Sequence, residues 1–200
     1  MKEARELPFE DDERLESPWH RAQINLLIEC THQHWRGRTD YFAGGNMFLY
    51  YSARQIRQRD YKGPDFFLVT PTDGQRTRQA WIVWEEDGQY PNLIIELLSP
   101  TTAAADLGSK KDLYERKFKT PEYFCYDPDT NLLRGWHLGE RGYAPLAPKP
   151  EGRLWSPELQ AYLGPREGVY QTMRAVWLRF FTREGVLVPT AEERAEAGRG

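Results

Sequence analysis

The chain has few cysteines and no long apolar run, and both absences limit what kind of protein it can be. Its 200 residues include two cysteines, Cys30 and Cys125, which stand far apart and match neither a disulfide framework nor a zinc-binding spacing. No apolar stretch approaches the roughly 18 residues that a membrane-spanning helix needs. Residues 1–16 are too polar for a signal peptide. We therefore expect a cytoplasmic protein without disulfide bonds, membrane span or structural zinc.

Several common catalytic motifs are also missing from the sequence. There is no GxxxxGK[ST] loop and no strand–GxGxxG–helix unit, which argues against a nucleoside triphosphate or dinucleotide site. There is no GxSxG motif of the kind that carries the nucleophile of serine hydrolases. His32 and His34 are two residues apart, so on a helix their side chains diverge and cannot share a metal ion.

Acidic and basic residues are nearly balanced, and the formal net charge is only -3 at pH 7. This value excludes a histone-like polycation. Acidic residues are concentrated at the ends, which predicts an acidic N-terminal tail over 1–17, one domain over 18–190 and a polar C-terminal tail over 191–200. The domain itself is slightly basic, with lysine and arginine clusters in 51–80 and 106–119. Such clusters are usually solvated surface, so only their context can give them a function.

Aromatic residues are abundant, with 7 Trp, 11 Tyr and 9 Phe, enough for a sizeable core. The predicted elements are a helix over 18–36, extended segments over 41–51, 66–69, 80–85 and 92–98, a helix over 106–119, strands over 122–126 and 132–138, and short extended pieces over 143–190. Asp87-Gly88 predicts a hairpin between 80–85 and 92–98, and the turn at 127–131 predicts another. This order indicates an α/β (α+β) domain built on one sheet.

Two carboxylates lie in or beside very apolar strands. Asp65 precedes Phe66–Val69, and Glu96 lies inside the apolar segment 93–98. A buried carboxylate is costly unless it is paired or coordinates a cation, and two carboxylates on neighbouring strands can hold a hard divalent ion. Lys110 follows on the next predicted helix, with aromatic residues four and eight positions later on nearly the same face. A structural Glu96–Lys110 ion pair without chemistry explains these residues about equally well.

An ordered set of short motifs in this chain resembles the Uma family of endonucleases, within the PD-(D/E)XK, restriction-endonuclease-like superfamily. The motifs are Pro64-Asp65, Ile94-Ile95-Glu96-Leu97-Leu98-Ser99-Pro100-Thr101-Thr102, Asp106-x3-Lys110-x3-Tyr114, Pro121-Glu122-Tyr123-Phe124 and Asp127-Pro128. Further similarity at Pro18-x-His20, 139–143 and 152–163 extends the resemblance to about 18–190. Any one motif is weak, but the ordered set is specific.

The resemblance implies a central mixed β-sheet flanked by helices, in αβββαβ order, and a Mg²⁺-dependent or Mn²⁺-dependent nuclease. It places Asp65 and Glu96 as the metal-binding carboxylates, with the backbone carbonyl of Leu97 as a further ligand. The chain departs from the family pattern because Leu98 stands where the motif has its lysine. Lys110 is the natural substitute, and it would orient the attacking water or stabilise transition-state charge.

The basic residues near these motifs become candidate phosphate contacts once a nuclease is considered. They are Arg54, Arg57, Arg59, Lys62 and Lys111. The expected partner is DNA, and a homodimer would suit an enzyme that cuts both strands of a duplex. For His20, helix capping or packing is favoured over catalysis. The alternative hypotheses are a catalytically weak nucleic-acid-binding module and an interaction protein with a structural Glu96–Lys110 pair.

Overall fold

The computed structural model describes residues 17–58 and 63–200. The predicted tail 1–17 therefore lies outside the described residues except for its last position. The described helices are α1 (Pro18–His34), α2 (Ala53–Arg57), α3 (Ala103–Leu107), α4 (Ser109–Arg116) and α5 (Ala191–Ala197). The strands are β1 (Phe42–Gly45), β2 (Leu49–Tyr50), β3 (Phe66–Val69), β4 (Trp81–Ile82), β5 (Leu93–Leu97), β6 (Glu122–Asp127), β7 (Leu132–Gly139), β8 (Gly142–Pro145), β9 (Leu154–Ser156), β10 (Ala161–Tyr170) and β11 (Met173–Phe181).

The core of the fold is a six-stranded mixed sheet in the order β1-β3-β5-β6-β7-β8. Its one parallel pair is β5–β6, and the other neighbours are antiparallel. Parallel neighbours need a crossover connection, which α3 and α4 supply. Together with α1, the strands β1, β3, β5 and β6 follow the αβββαβ order, so the predicted fold class is confirmed.

Strand β5 lies in the middle of this sheet and is covered on both faces, as its unbroken apolar sequence predicted. Each of its five residues is buried. Ile95 packs in the cluster that contains α1 and the three-stranded sheet β9–β10–β11. Ile94 packs in the cluster on the opposite face, with Tyr114 of α4 and Phe118, which lies just after that helix. The end of β5 therefore emerges between two filled cores.

Helix α1 begins where the sequence predicted. The Ser17 side chain accepts a hydrogen bond from the backbone N–H of His20 at 3.1 Å, and Pro18 occupies the first turn. The helix ends at His34, two residues before the predicted end, because Trp35 leaves helical geometry and closes the last turn with its N–H bonded to Thr31.

The predicted hairpin at Asp87-Gly88 is wrong. The turn forms, with φ of 54° at Asp87 and 75° at Gly88, but the flanking segments do not pair. β4 pairs in parallel with β2 in a separate two-stranded sheet, and Val83–Glu85 forms a 3₁₀ turn. Both edges of β5 are already occupied by β3 and β6, so no edge remains for the preceding segment.

The single helix predicted over 106–119 is two short helices, α3 and α4, that meet at Gly108. Gly108 has φ -119° and ψ -100°, and a Cβ there would lie 2.8 Å from the carbonyl oxygen of Ala104. The close approach turns the chain before α4, so that Lys110 on its first turn faces the end of β5.

The C-terminal part contains a longer element than the short pieces predicted. β10 and β11 form a nine-pair antiparallel hairpin beside α1. The Gln23 side chain of α1 binds both the N–H and the carbonyl of Leu178, and the rings of Trp19 and Trp177 stack 5.9 Å apart. The described residues contain no helix long and apolar enough to cross a membrane.

Glu122 joins the central sheet to the three-stranded sheet from a buried position at the start of β6. Its carboxylate accepts hydrogen bonds from the Ser156 hydroxyl at 2.5 Å and the Glu158 N–H at 3.0 Å. Burial nevertheless raises the pKa of Glu122 to about 7, and the Glu158 carboxylate adds to the rise. Because an unfolded glutamate titrates lower, ionisation of Glu122 opposes folding.

Replacement Glu122→Gln is therefore expected to remove a pH-dependent loss of stability. In the wild type, the stabilising effect of protonated Glu122 is fully present below pH 4.5. It is lost as the pH rises through about 7, where the buried carboxyl ionises. Between these limits, wild type should lose about 3 kcal/mol of unfolding free energy relative to the variant. Urea unfolding at pH 4.5 and pH 8 measures it, with the exposed Glu140→Gln as control. A difference between wild type and Glu122→Gln that does not change with pH would contradict the assignment.

Candidate active site

Asp65 and Glu96 lie opposite each other at one end of the sheet. The antiparallel pairing of β3 with β5 matches Phe66 to Ile95, and one further step places Asp65 across from Glu96. Asp65 itself lies just before β3, and its charge is close enough to raise the pKa of Glu96. The Asp65 Oδ2 atom also accepts a hydrogen bond from the Leu97 N–H at 2.7 Å. Asp65 is thus held beside the residue that follows Glu96.

Glu96 is almost completely buried, with 1% of its side chain exposed. Its Oε1 atom accepts a hydrogen bond from the Tyr114 hydroxyl at 3.1 Å. Its Oε2 atom accepts one from the Lys110 ammonium at 3.3 Å. Both donors come from α4, so the kink before this helix brings them to the carboxylate.

Lys110 contacts two carboxylates at once. Besides the Glu96 contact, its Nζ lies 2.8 Å from Oδ1 of Asp106, one helical turn earlier in the chain. The Lys110 side chain remains 20% exposed, so the ammonium can be reached from solvent. The structure therefore brings together the three predicted catalytic side chains, Asp65, Glu96 and Lys110.

The site carries more negative than positive charge. Burial raises the pKa of Glu96 well above its usual value, and the charges of Asp65 and Asp106 raise it further, against the opposing effect of Lys110. Burial by itself lowers the pKa of Lys110, but attraction to Glu96 and Asp106 outweighs that effect and raises it. Lys110 is thus held as an ammonium among the acidic side chains of Asp65, Glu96 and Asp106.

The role of Asp106 was missed in the sequence, although its position four residues before Lys110 is the spacing of facing helical partners. Its side chain is 1% exposed. Among the described residues, neither carboxylate oxygen has a hydrogen-bond partner, and the polar contact is the ion pair with Lys110. The Tyr123 hydroxyl holds its backbone carbonyl at 2.6 Å. Asp106 is therefore a fixed, buried charge that orients Lys110.

His20, for which helix capping or packing was favoured from the sequence, takes part in the N-terminal cap of α1 and also contacts Asp65. Its backbone N–H binds the Ser17 cap, while its ring Nε2 lies 3.1 Å from Asp65 Oδ1. Both side chains are 18% exposed. Because Asp65 uses Oδ2 for the Leu97 N–H, both of its oxygens are oriented by contacts. The signal was the Pro18-x-His20 motif, but sequence alone did not indicate the ring's partner.

The donor set fits a hard divalent cation bound through few protein ligands. In the part of the chain that the structure describes, no three side chains of His, Cys, Asp or Glu form a group able to hold a metal ion. Mg²⁺ commonly takes one or two protein carboxylates and completes its shell with water and substrate phosphate. Asp65 and Glu96 are the carboxylates that could serve as such a pair, and the buried Asp106 carboxylate beside Lys110 adds negative charge to the site.

The candidate phosphate contacts divide into three groups. Arg54 and Arg57 are exposed on α2. Arg59 and Lys62 lie outside the described residues. Lys111 turns away from Glu96, with its Nζ 4.9 Å from the centre of the Trp136 ring and 6.0 Å from that of Tyr143.

The sequence matches the model of a protein family, and the fold is similar to that of a solved structure. Residues 10–164 match the model of the Uma2 family, described as "Putative restriction endonuclease". The fold is similar to a crystal structure from Anabaena variabilis ATCC 29413, described as a putative nuclease belonging to DUF820. That likeness has a TM-score of 0.52 and 12% sequence identity, and it covers 74% of this chain and 76% of the other. No curated protein matches the sequence.

Proposed function

Because the chain belongs to the Uma2 family of restriction-endonuclease-like proteins, we propose that it is a metal-dependent endonuclease that hydrolyses phosphodiester bonds of DNA. The observation that carries this proposal is the meeting of Asp65, Glu96 and Lys110 at the end of β5, in partial contact with solvent. A nuclease needs an anchored cation, a group that stabilises developing charge and access for the strand. These three residues supply the first two, and the exposure of Asp65 and Lys110 supplies the third.

Asp65, Glu96 and the backbone carbonyl of Leu97 would hold Mg²⁺ or Mn²⁺. The bound ion would lower the pKa of water and neutralise charge on the scissile phosphate. The Leu97 N–H fixes Asp65, and the Tyr114 hydroxyl fixes Glu96. Both carboxylates are therefore oriented before any ligand binds, which lowers the cost of organising the site during the reaction.

Lys110 would serve the reacting phosphate directly. Its ammonium lies closer to Asp106 than to Glu96, at 2.8 Å against 3.3 Å. Asp106 can thus keep it in place while it donates hydrogen bonds to the attacking water or to a phosphate oxygen. An ammonium aimed at charge that develops only in the transition state lowers the barrier rather than merely tightening substrate binding.

A plasmid-nicking assay tests the proposal. Wild-type protein with Mg²⁺ or Mn²⁺ should convert supercoiled DNA to nicked or linear DNA, and EDTA should prevent this. Asp65→Asn should abolish cleavage. Asp87→Asn, an exposed turn residue at positive φ where asparagine is tolerated, should cleave like wild type. Equal cleavage by wild type and Asp65→Asn would assign the activity to another site or a contaminant.

Replacement Asp106→Asn is expected to lower kcat by roughly 10- to 100-fold, the usual effect of losing a partner that orients a catalytic group. The substitution keeps the volume but removes the charge that holds the Lys110 ammonium. Since Asp106 is buried away from the substrate, KM should change little. Steady-state kinetics on an oligonucleotide separates the two constants. An increase in KM at unchanged kcat would contradict the positioning role.

A further inference from the structure

A cavity of about 230 Å³ opens next to the site, on the α4 side of the sheet. Pro64, the neighbour of Asp65, and Lys110 both line it, so it adjoins two of the proposed catalytic positions. Its volume is below the roughly 300–1,000 Å³ of pockets for drug-sized ligands. A single small ring system, rather than a large molecule, suits such a volume.

The walls of this cavity are largely rigid aromatic and aliphatic side chains. Phe118 is one of these side chains, and the centres of the Tyr51 and Tyr114 rings each lie 5.2 Å from the centre of its ring. Leu113 completes the α4 side. Aromatic walls of this kind bind flat rings through stacking and edge contacts, and they do so for any nucleobase.

The one side-chain amide in the wall, that of Gln55, is not positioned to read a base. The Gln55 amide oxygen accepts the N–H groups of Tyr51 and Ser52, and its nitrogen donates to the Leu49 carbonyl. These backbone bonds occupy the amide. The amide is therefore not available to discriminate among bases, and the Tyr114 hydroxyl is engaged by Glu96. Ser109 lies at the exposed rim of the cavity, so its interior offers mainly shape and stacking.

The lining of the cavity is basic, although the acidic side chains of Glu96 and Asp106 lie behind Lys110. Among the described residues that line the cavity, Lys110 is the one charged residue, and no acidic residue lines it. Helix α2, which supplies Gln55 to the wall, carries the exposed side chains of Arg54 and Arg57. An apolar ring attached to a phosphate chain would satisfy both the aromatic interior and this basic surround.

We propose that this cavity binds one unstacked nucleobase next to the scissile phosphate, so that the enzyme acts on single strands or on nucleotides flipped out of a duplex. The inference rests on the proposed nuclease function and adds the form of the substrate to it. A base seated between Tyr51 and Leu113 places its phosphate near Lys110. Because Gln55 is occupied, the site accepts different bases.

An abasic scan of a single-stranded oligonucleotide tests this assignment. The bond cleaved by wild type is mapped first, and each flanking nucleotide is then replaced in turn by an abasic one. Loss of the seated base should lower kcat/KM roughly 5- to 100-fold at one position beside the cleaved bond, the range for a stacked base. Ser109→Trp, which fills the cavity from its exposed rim, should lower kcat/KM on the intact strand and remove the abasic effect.

Asp112→Trp is the matched control, because residue 112 is exposed on α4 and does not line the cavity. It should retain both the wild-type rate and the abasic profile. A flat profile in wild type, or an unchanged profile in Ser109→Trp, would overturn the base pocket while leaving the nuclease assignment intact. If wild type cleaves nothing, the nuclease assignment fails, and fluorescence anisotropy of the same oligonucleotides decides: position-specific loss of affinity upholds the pocket, and equal affinities overturn it.

Discussion

Replacing Lys110 with methionine is expected to lower the single-turnover cleavage rate by roughly 10²- to 10⁴-fold, the range for removal of a group that acts in the transition state. Methionine retains most of the aliphatic stem but loses the ammonium that contacts Glu96 and Asp106. The rate should be measured on a short oligonucleotide with enzyme in excess. When the enzyme saturates the oligonucleotide, the measured rate no longer depends on how tightly each variant binds DNA.

The neighbouring Lys111→Met is the control for this experiment. Its ammonium lies over Trp136 instead of the carboxylates, so its loss can weaken DNA binding without slowing the chemical step. Its saturated rate should stay within a few-fold of wild type. A Lys110→Met rate within tenfold of wild type would remove the residue from the catalytic centre and leave the missing motif lysine without a substitute.

Replacing Glu96 with glutamine is expected to abolish cleavage, by at least about 10³-fold, without lowering stability. The carboxylate is buried and close to the charges of Asp65 and Asp106, so its ionised form is disfavoured in the fold. Glutamine keeps a carbonyl acceptor for the Tyr114 hydroxyl, and Lys110 keeps Asp106 as its partner. Thermal unfolding and cleavage rates on the same preparations provide the comparison.

The stability result separates the enzyme from the structural ion-pair hypothesis. If the Glu96–Lys110 contact existed only to hold the fold, breaking it would cost about 3–5 kcal/mol, the effect of removing one partner from a buried pair. Glu85→Gln, at an exposed site, controls for loss of a glutamate. A large drop in melting temperature for Glu96→Gln, together with unchanged cleavage, would favour the structural alternative.

The strand framework was predictable because its signals are local. Phe66–Val69 is apolar throughout, and Leu93–Leu97 is apolar except for Glu96. Asp65 and Glu96 were conspicuous in the sequence because a carboxylate beside or inside such a strand is costly to bury. The resemblance to the Uma family and helical spacing singled out Lys110. The structure then places its ammonium 3.3 Å from Glu96.

The remaining features depend on contacts between distant segments. The Asp87-Gly88 turn predicted a hairpin, but competition for the edges of β5 by β3 and β6 decided the pairing. The His20 ring reaches Asp65 across 45 residues of sequence, which no local pattern reveals. The contact of Asp106 with Lys110 could have been predicted from their spacing of four residues. The burial of the Asp106 side chain could not, because it depends on how α3 packs against the sheet.

Calorimetric titration of Mn²⁺ into wild type and Glu96→Gln tests the central claim most directly, because it asks whether the Asp65–Glu96 pair binds a divalent cation. Asp65 lies just before β3 and Glu96 near the end of β5, and the charges of Asp65 and the buried Asp106 both act on Glu96. We expect one binding event in wild type and in Glu85→Gln that is absent from Glu96→Gln. Identical isotherms for wild type and Glu96→Gln would contradict the account, since the cation would then bind elsewhere or not at all.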